Sequence, residues 1–118
     1  MKNFLEIERD RFLDKARSSD PLSAVFFLEY SNKKLGIREK QLSIDIRSEL
    51  NHIDTETLKL ARKSAVRLLS VTYVGAAYFK YPDSMEYDQA IDRLKSENPG
   101  YNEDCYKIAI WESITAMR

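Results

Sequence analysis

Backbone breakers are rare in this chain and far apart, and that spacing limits the folds open to it. Glycine occurs only at positions 36, 75 and 100, and proline only at 21, 82 and 99. A small all-β domain needs turn signals at roughly 8–12-residue spacing, and this chain does not supply them. Between the breakers, apolar side chains recur at three- and four-residue steps, as they do along one face of a helix. Leu58, Ala61, Ala65, Leu68, Thr72, Ala76 and Phe79 form the longest such stripe. The expected fold is all-α: one domain over residues 1–118, a bundle of about six helices.

Local signals place those helices. The first is expected over residues 3–17, with Leu5, Phe12, Leu13 and Ala16 inward and Ile7 pointing elsewhere. Asp20-Pro21 reads as an N-cap followed by proline at the first helical position. The helix it opens should end at Gly36 in a left-handed turn. Over residues 37–53 two periods compete. Leu42, Ile46, Leu50 and Ile53 form a helical stripe, while Leu42, Ile44 and Ile46 alternate as in a strand. The weak strand formers around them favour helix. Asp54 or Thr55 should cap a long helix reaching residue 80, and Asp83 with Glu86 forms a capping-box pattern for the next. Asn98-Pro99-Gly100 reads as a turn, and Asn102 should cap the last helix. The core is expected around Leu68, Leu69, Ala76, Ile110, Trp111 and Ile114.

Charge and composition narrow the function. Nineteen basic and nineteen acidic residues cancel, which argues against general nucleic-acid binding, since that depends on a basic surface. The charge is unevenly spread: residues 33–67 carry a surplus of +4 and residues 68–118 a deficit of −3. The segment Met1-Lys2-Asn3-Phe4-Leu5-Glu6 shows no secretory pattern. The longest uncharged apolar stretch, residues 68–79, falls short of the ~20 residues that span a bilayer. With one cysteine, Cys105, no internal disulfide can form. A soluble cytoplasmic protein without a membrane partner is expected.

His52 is the only histidine, so every histidine mechanism rests on it. Glu49-Leu50-Asn51-His52 puts a carboxylate and an imidazole one turn apart, but a helical di-metal site needs a second such pair. Neither a metal site nor a cofactor is expected, and no glycine-rich phosphate loop or nucleophile elbow appears. In Arg47-Ser48-Glu49-Leu50-Asn51-His52 an arginine precedes a histidine with four residues between them. This resembles the R-x(4–6)-H signature of the HEPN family, all-helical domains of which many are metal-independent ribonucleases. The resemblance implies an imidazole that deprotonates a 2′-hydroxyl and an arginine that steadies the phosphate. The family usually places a polar residue such as Asn, Asp or His just after the arginine, and Ser48 is a partial departure from that.

Two charged surfaces are candidates for partner binding. One is basic: Arg38, Lys59, Arg62, Lys63 and Arg67. It can be a solvated face, a match for the acidic helix of the same chain, or a docking face. The other is acidic and aromatic: Asp83, Glu86, Tyr87, Asp88, Asp92, Tyr101, Glu103 and Asp104. Six of the seven tyrosines follow residue 72, and tyrosine is enriched in protein interfaces. With no catalytic set beyond Arg47 and His52, a non-enzymatic protein-binding module is the favoured reading. The size, the helical content and the close Asn98-Pro99-Gly100-Tyr101 before a short apolar helix resemble small helical bacterial immunity proteins. That resemblance implies a partner toxin, neutralised through the acidic, tyrosine-flanked surface. A HEPN-like ribonuclease is the alternative, and a homodimeric regulatory or structural protein the third.

Overall fold

The computed structural model describes residues 3–37, 39–70 and 87–116, with side chains at all of them except Tyr87 and residues 113–116. Among these residues the chain is all-α, with six α-helices and no strand. It divides into two compact units, Met1–Ala65 and Val66–Arg118.

The first unit is built around its second helix. Helix α1 spans Phe4–Arg17 and starts where Asn3 Oδ1 accepts the Glu6 N–H at 2.9 Å. It turns Phe12 and Ala16 into the core and leaves Ile7 exposed, as the offset of Ile7 from the stripe predicts. Helix α2 spans Pro21–Ser31 and begins as its sequence predicts, with an Asp20 carboxylate oxygen accepting the Ser23 N–H at 3.1 Å. Residues 23–28 are buried without interruption. A helix buried on every side is the centre of its unit. Phe12 meets the Tyr30 ring edge-on at 5.3 Å, and Phe26 stacks on Tyr30 at 6.4 Å.

Two sequence expectations fail just after α2. The helix widens into a π-helical turn, Asn32–Gly36, closed by the Ile37 N–H on the Asn32 carbonyl. Gly36 is not left-handed; among the described glycines only Gly100 has a positive φ, 102°. What Gly36 contributes is the absence of a side chain, because a Cβ there would stand 2.7 Å from Ser43 Oγ. The single helix expected over residues 37–53 is also absent. A 3₁₀ turn (Lys40–Leu42) leads into extended backbone, and only then comes the short helix α3, Ile46–Glu49. The physical reason is Asn32. Its side-chain Oδ1 accepts the Ile44 N–H at 2.7 Å and its Nδ2 donates to the Ile44 carbonyl at 3.0 Å. Ile44 is held as a strand neighbour would hold it, so Leu42, Ile44, Ile46 and Leu50 are all buried. Both competing periods of the sequence are thereby satisfied.

Asp45 caps α3 through the Ser48 N–H, and Asp54 caps α4 (Thr55–Leu69) through the Thr57 N–H at 2.7 Å. Leu58, Ala61 and Ala65 form the buried face of α4 in the first unit. Against the expected run to residue 80, α4 stops at Leu69, with Ser70 in a turn whose N–H donates to the Arg67 carbonyl at 3.1 Å; Gly75, Ala76 and the Asp83/Glu86 box lie outside the described residues.

In the second unit α5 (Tyr87–Glu97) packs against α6 (Glu103–Ala116). Ala90, Ile91 and Leu94 of α5, with Cys105, Tyr106, Ala109 and Ile110 of α6, are buried. Leu68 is buried too and Leu69 is half-buried. Trp111 corrects the expected core: it stands 58% exposed. Ala76 and the Ile114 side chain lie outside the described residues.

Three changes test this account by chemical denaturation. Asn32→Ala orphans both Ile44 backbone groups and should cost about 1–3 kcal/mol for each. Gly36→Ala should destabilise, and by less in a Ser43→Ala background, because the clash is with the Ser43 hydroxyl. Leu68→Ala and Ile110→Ala, at 0% and 1% exposed, should each cost about 2–5 kcal/mol.

Candidate functional site

The only histidine sits in the turn at residues 50–53, between α3 and α4, and its side chain is exposed. It shares a cleft with the end of α1 and the start of α2. Ala16, Ala24 and Leu50 form the cleft's buried floor, and Arg17, Glu49 and His52 stand at its rim. Arg17 Nη2 lies 3.6 Å from Glu49 Oε2. Arg47 is not among the residues lining this cleft. Its guanidinium donates to Thr55 Oγ1 at 3.1 Å, tying α3 to the first turn of α4. The Arg47–His52 motif therefore straddles a helix end: the arginine is helical and the histidine lies in the turn beyond. The cation that shares this cleft with His52 is Arg17, which no local pattern in the sequence connects with it. Among the described residues no three metal-binding side chains come together.

The acidic candidates fall on the second unit. Asp88 and Asp92 are exposed on α5, one turn apart. Glu103, in the first turn of α6, forms a salt bridge with Lys95. The hydrogen bond to Glu103 raises the Lys95 ammonium above its ordinary pKa, and the nearby Asp92 charge adds to this. Asp104 is exposed on the outer side of α6. Asp83 and Glu86 lie outside the described residues, and of Tyr87 only the backbone, opening α5, is described.

Tyr101 is half-buried and belongs to a built turn. Its ring meets that of Tyr106 edge-on at 5.9 Å, and its N–H donates to Tyr106 Oη at 3.3 Å. The Tyr106 hydroxyl in turn donates to the Asn98 carbonyl at 2.7 Å. Asn102 caps α6 by accepting the Cys105 N–H at 3.2 Å. These contacts fix the loop that sets the start of α6. Burial holds the Tyr106 phenol above its ordinary pKa.

Of the basic candidates, Lys59, Arg62, Lys63 and Arg67 are exposed on α4, and Arg38 lies outside the described residues. Arg62 Nε donates to Glu29 Oε1 of α2 at 2.7 Å, so this cation is matched within the first unit. Lys59 and Lys63 form no ion pair among the described residues.

The residue that sequence reasoning misplaced is Trp111. On α6, Asp104, Lys107 and Trp111 are spaced three and four apart, and all three are exposed. They form one outward stripe. The signal was the pair Asp104 and Lys107, which marks the wet side of an otherwise apolar helix. Comparison with protein-family models, with curated proteins and with solved structures returns no match.

The turn makes its own prediction. Tyr106→Phe removes the partner of the Asn98 carbonyl and should cost about 1–3 kcal/mol. The folded phenol ionises at higher pH than the unfolded one. Its contribution to stability is therefore complete below about pH 10 and is lost as pH rises through the folded value. Unfolding free energy followed across alkaline pH should fall in the wild type, and the fall should be shallower in Tyr106→Phe.

Proposed function

We propose that this chain is a non-enzymatic protein-binding module that engages its partner through the outer face of α6. One observation carries the reading: the chain's single tryptophan is exposed on a helix whose opposite face is buried. Tryptophan, with its apolar body and polar N–H, is enriched at protein interfaces, and it is among the residues that dominate binding energy there. Asp104 and Lys107 share its stripe, and the α6 helix begins with Glu103 and Asp104. The segment 68–118 to which α6 belongs carries a deficit of −3. The partner presents an apolar pocket with a basic rim.

The finer form of the proposal is that the partner is a toxin domain, as for small helical bacterial immunity proteins. A toxin that acts on nucleic acid carries a basic active-site surface, and an acidic inhibitor face steers association with it. Asp88 and Asp92 contribute to that long-range field, and Trp111 supplies the desolvated anchor.

Because Trp111 is the only tryptophan, its fluorescence reports on the interface directly. In the isolated protein its emission should be red-shifted and open to acrylamide quenching. Adding the product of a neighbouring toxin-like reading frame should shift the emission to the blue and protect it. Trp111→Ala should weaken binding by about 30-fold or more with the helical content unchanged. Asp104→Lys should slow association and flatten its salt dependence. An unchanged Kd in Trp111→Ala would remove α6 from the interface.

A further inference from the structure

The geometry points to a second binding site, for a small zwitterion of the α-amino-acid class, in the cleft between the end of α1, the start of α2 and the turn after α3. The site lies wholly within the first unit and does not involve α6.

Size comes first. The cleft encloses about 140 Å³. An engineered protein cavity of roughly 150 Å³ takes benzene, so the occupant has about that bulk. Alanine, serine and valine are in this range, and a nucleotide is several times too large. The floor of Ala16, Ala24 and Leu50, at 4%, 2% and 4% exposed, suits a short aliphatic side chain.

Charge then selects among molecules of that size. Two opposite charges, Arg17 and Glu49, face each other across the rim at 3.6 Å. Tight charge-assisted hydrogen bonds are about 2.7–2.9 Å long. At the wider separation neither group is saturated by the other, and the guanidinium has further N–H donors to offer. A ligand carrying a carboxylate and an ammonium on one carbon can satisfy both. Its carboxylate takes the Arg17 fork, and its ammonium donates to Glu49. His52, on the same rim, adds a ring nitrogen to the set.

Competing ligands fit less well. Inorganic phosphate is small enough, but it brings no cation to answer Glu49, and Asp14, 3.7 Å from Arg17, works against any anion that does not. A metal ion would find only Glu49 and His52 on this rim, with no third ligand among the described residues. An uncharged apolar molecule would leave both charges unanswered.

The test is an amide-resolved NMR titration of the full chain with L-alanine. Saturable shifts are expected at Arg17, Ser19, Ala24 and residues 49–53, with α5 and α6 unmoved. N-acetyl-L-alanine lacks the ammonium and L-alaninamide lacks the carboxylate. Each should bind about tenfold or more weakly. Arg17→Gln and Glu49→Gln should each lose a similar factor. Both side chains are solvent-accessible, at 62% and 33%, so these variants should keep the wild-type spectrum elsewhere. No saturable response by ~10 mM alanine overturns the site. So does N-acetyl-L-alanine or inorganic phosphate binding as well as alanine, which would make the cleft a plain anion site.

Discussion

The first unit depends on two hydrogen bonds between the Asn32 side chain and the backbone of Ile44. A carboxamide offers one acceptor and two donors, enough to stand in for a neighbouring strand. By pairing with both polar groups of Ile44 it lets extended backbone lie against a helix without stranded N–H or C=O groups. Three alternate residues, Leu42, Ile44 and Ile46, can then all face the core. The arrangement also demands close approach, and Gly36 permits it by having no Cβ to strike Ser43. The rest follows in chain order. Once Ile44 is fixed, α3 can start at Asp45, and the end of α3 delivers Glu49 and His52 to the cleft beside Arg17. A contact in the core thus decides what stands on the rim.

Helix starts were legible in the sequence because their chemistry is local. Asp20-Pro21 and Asn102 act three residues ahead of themselves, and each caps the helix it was expected to cap. Asp54 does the same, and the Thr57 N–H it accepts holds its carboxyl below the usual range. Buried faces were legible wherever one side of a helix is polar, as on α4. The Asn32–Ile44 clasp was not, since it joins residues twelve apart through a side chain equally common in turns and caps. For the same reason Gly36 read as a helix terminator, although its role is set by a neighbour that only the fold supplies. Trp111 failed differently. Helix α6 is apolar around much of its circumference, so its apolar residues alone point no way, and only the polar pair Asp104 and Lys107 marks the side on which Trp111 lies.

The two units use charge in different ways. In the first, Arg62 and Glu29 close over α2 at 2.7 Å. Exposed pairs of this kind add little stability, and what they set is which charges remain available. Lys59 and Lys63 remain so among the described residues. In the second unit Lys95 and Glu103 neutralise each other near the turn, which leaves Asp88 and Asp92 of α5 to define the field. The candidate acidic surface is therefore smaller than the sequence count of carboxylates suggests. Its aromatic members also differ in role: Tyr101 and Tyr106 lock the loop, while Trp111 is the ring turned to solvent.

Cys105 gives the second unit an unusual property. It is fully buried on α6, and it is the chain's only thiol. A thiol reagent can reach it only when that packing opens, so modification kinetics register opening events too rare for equilibrium spectroscopy to detect. Under slow-reagent conditions the modification rate scales with the fraction of time the thiol is accessible. The second unit thus carries a native gauge of its own local stability, one that needs no label and leaves every surface residue untouched.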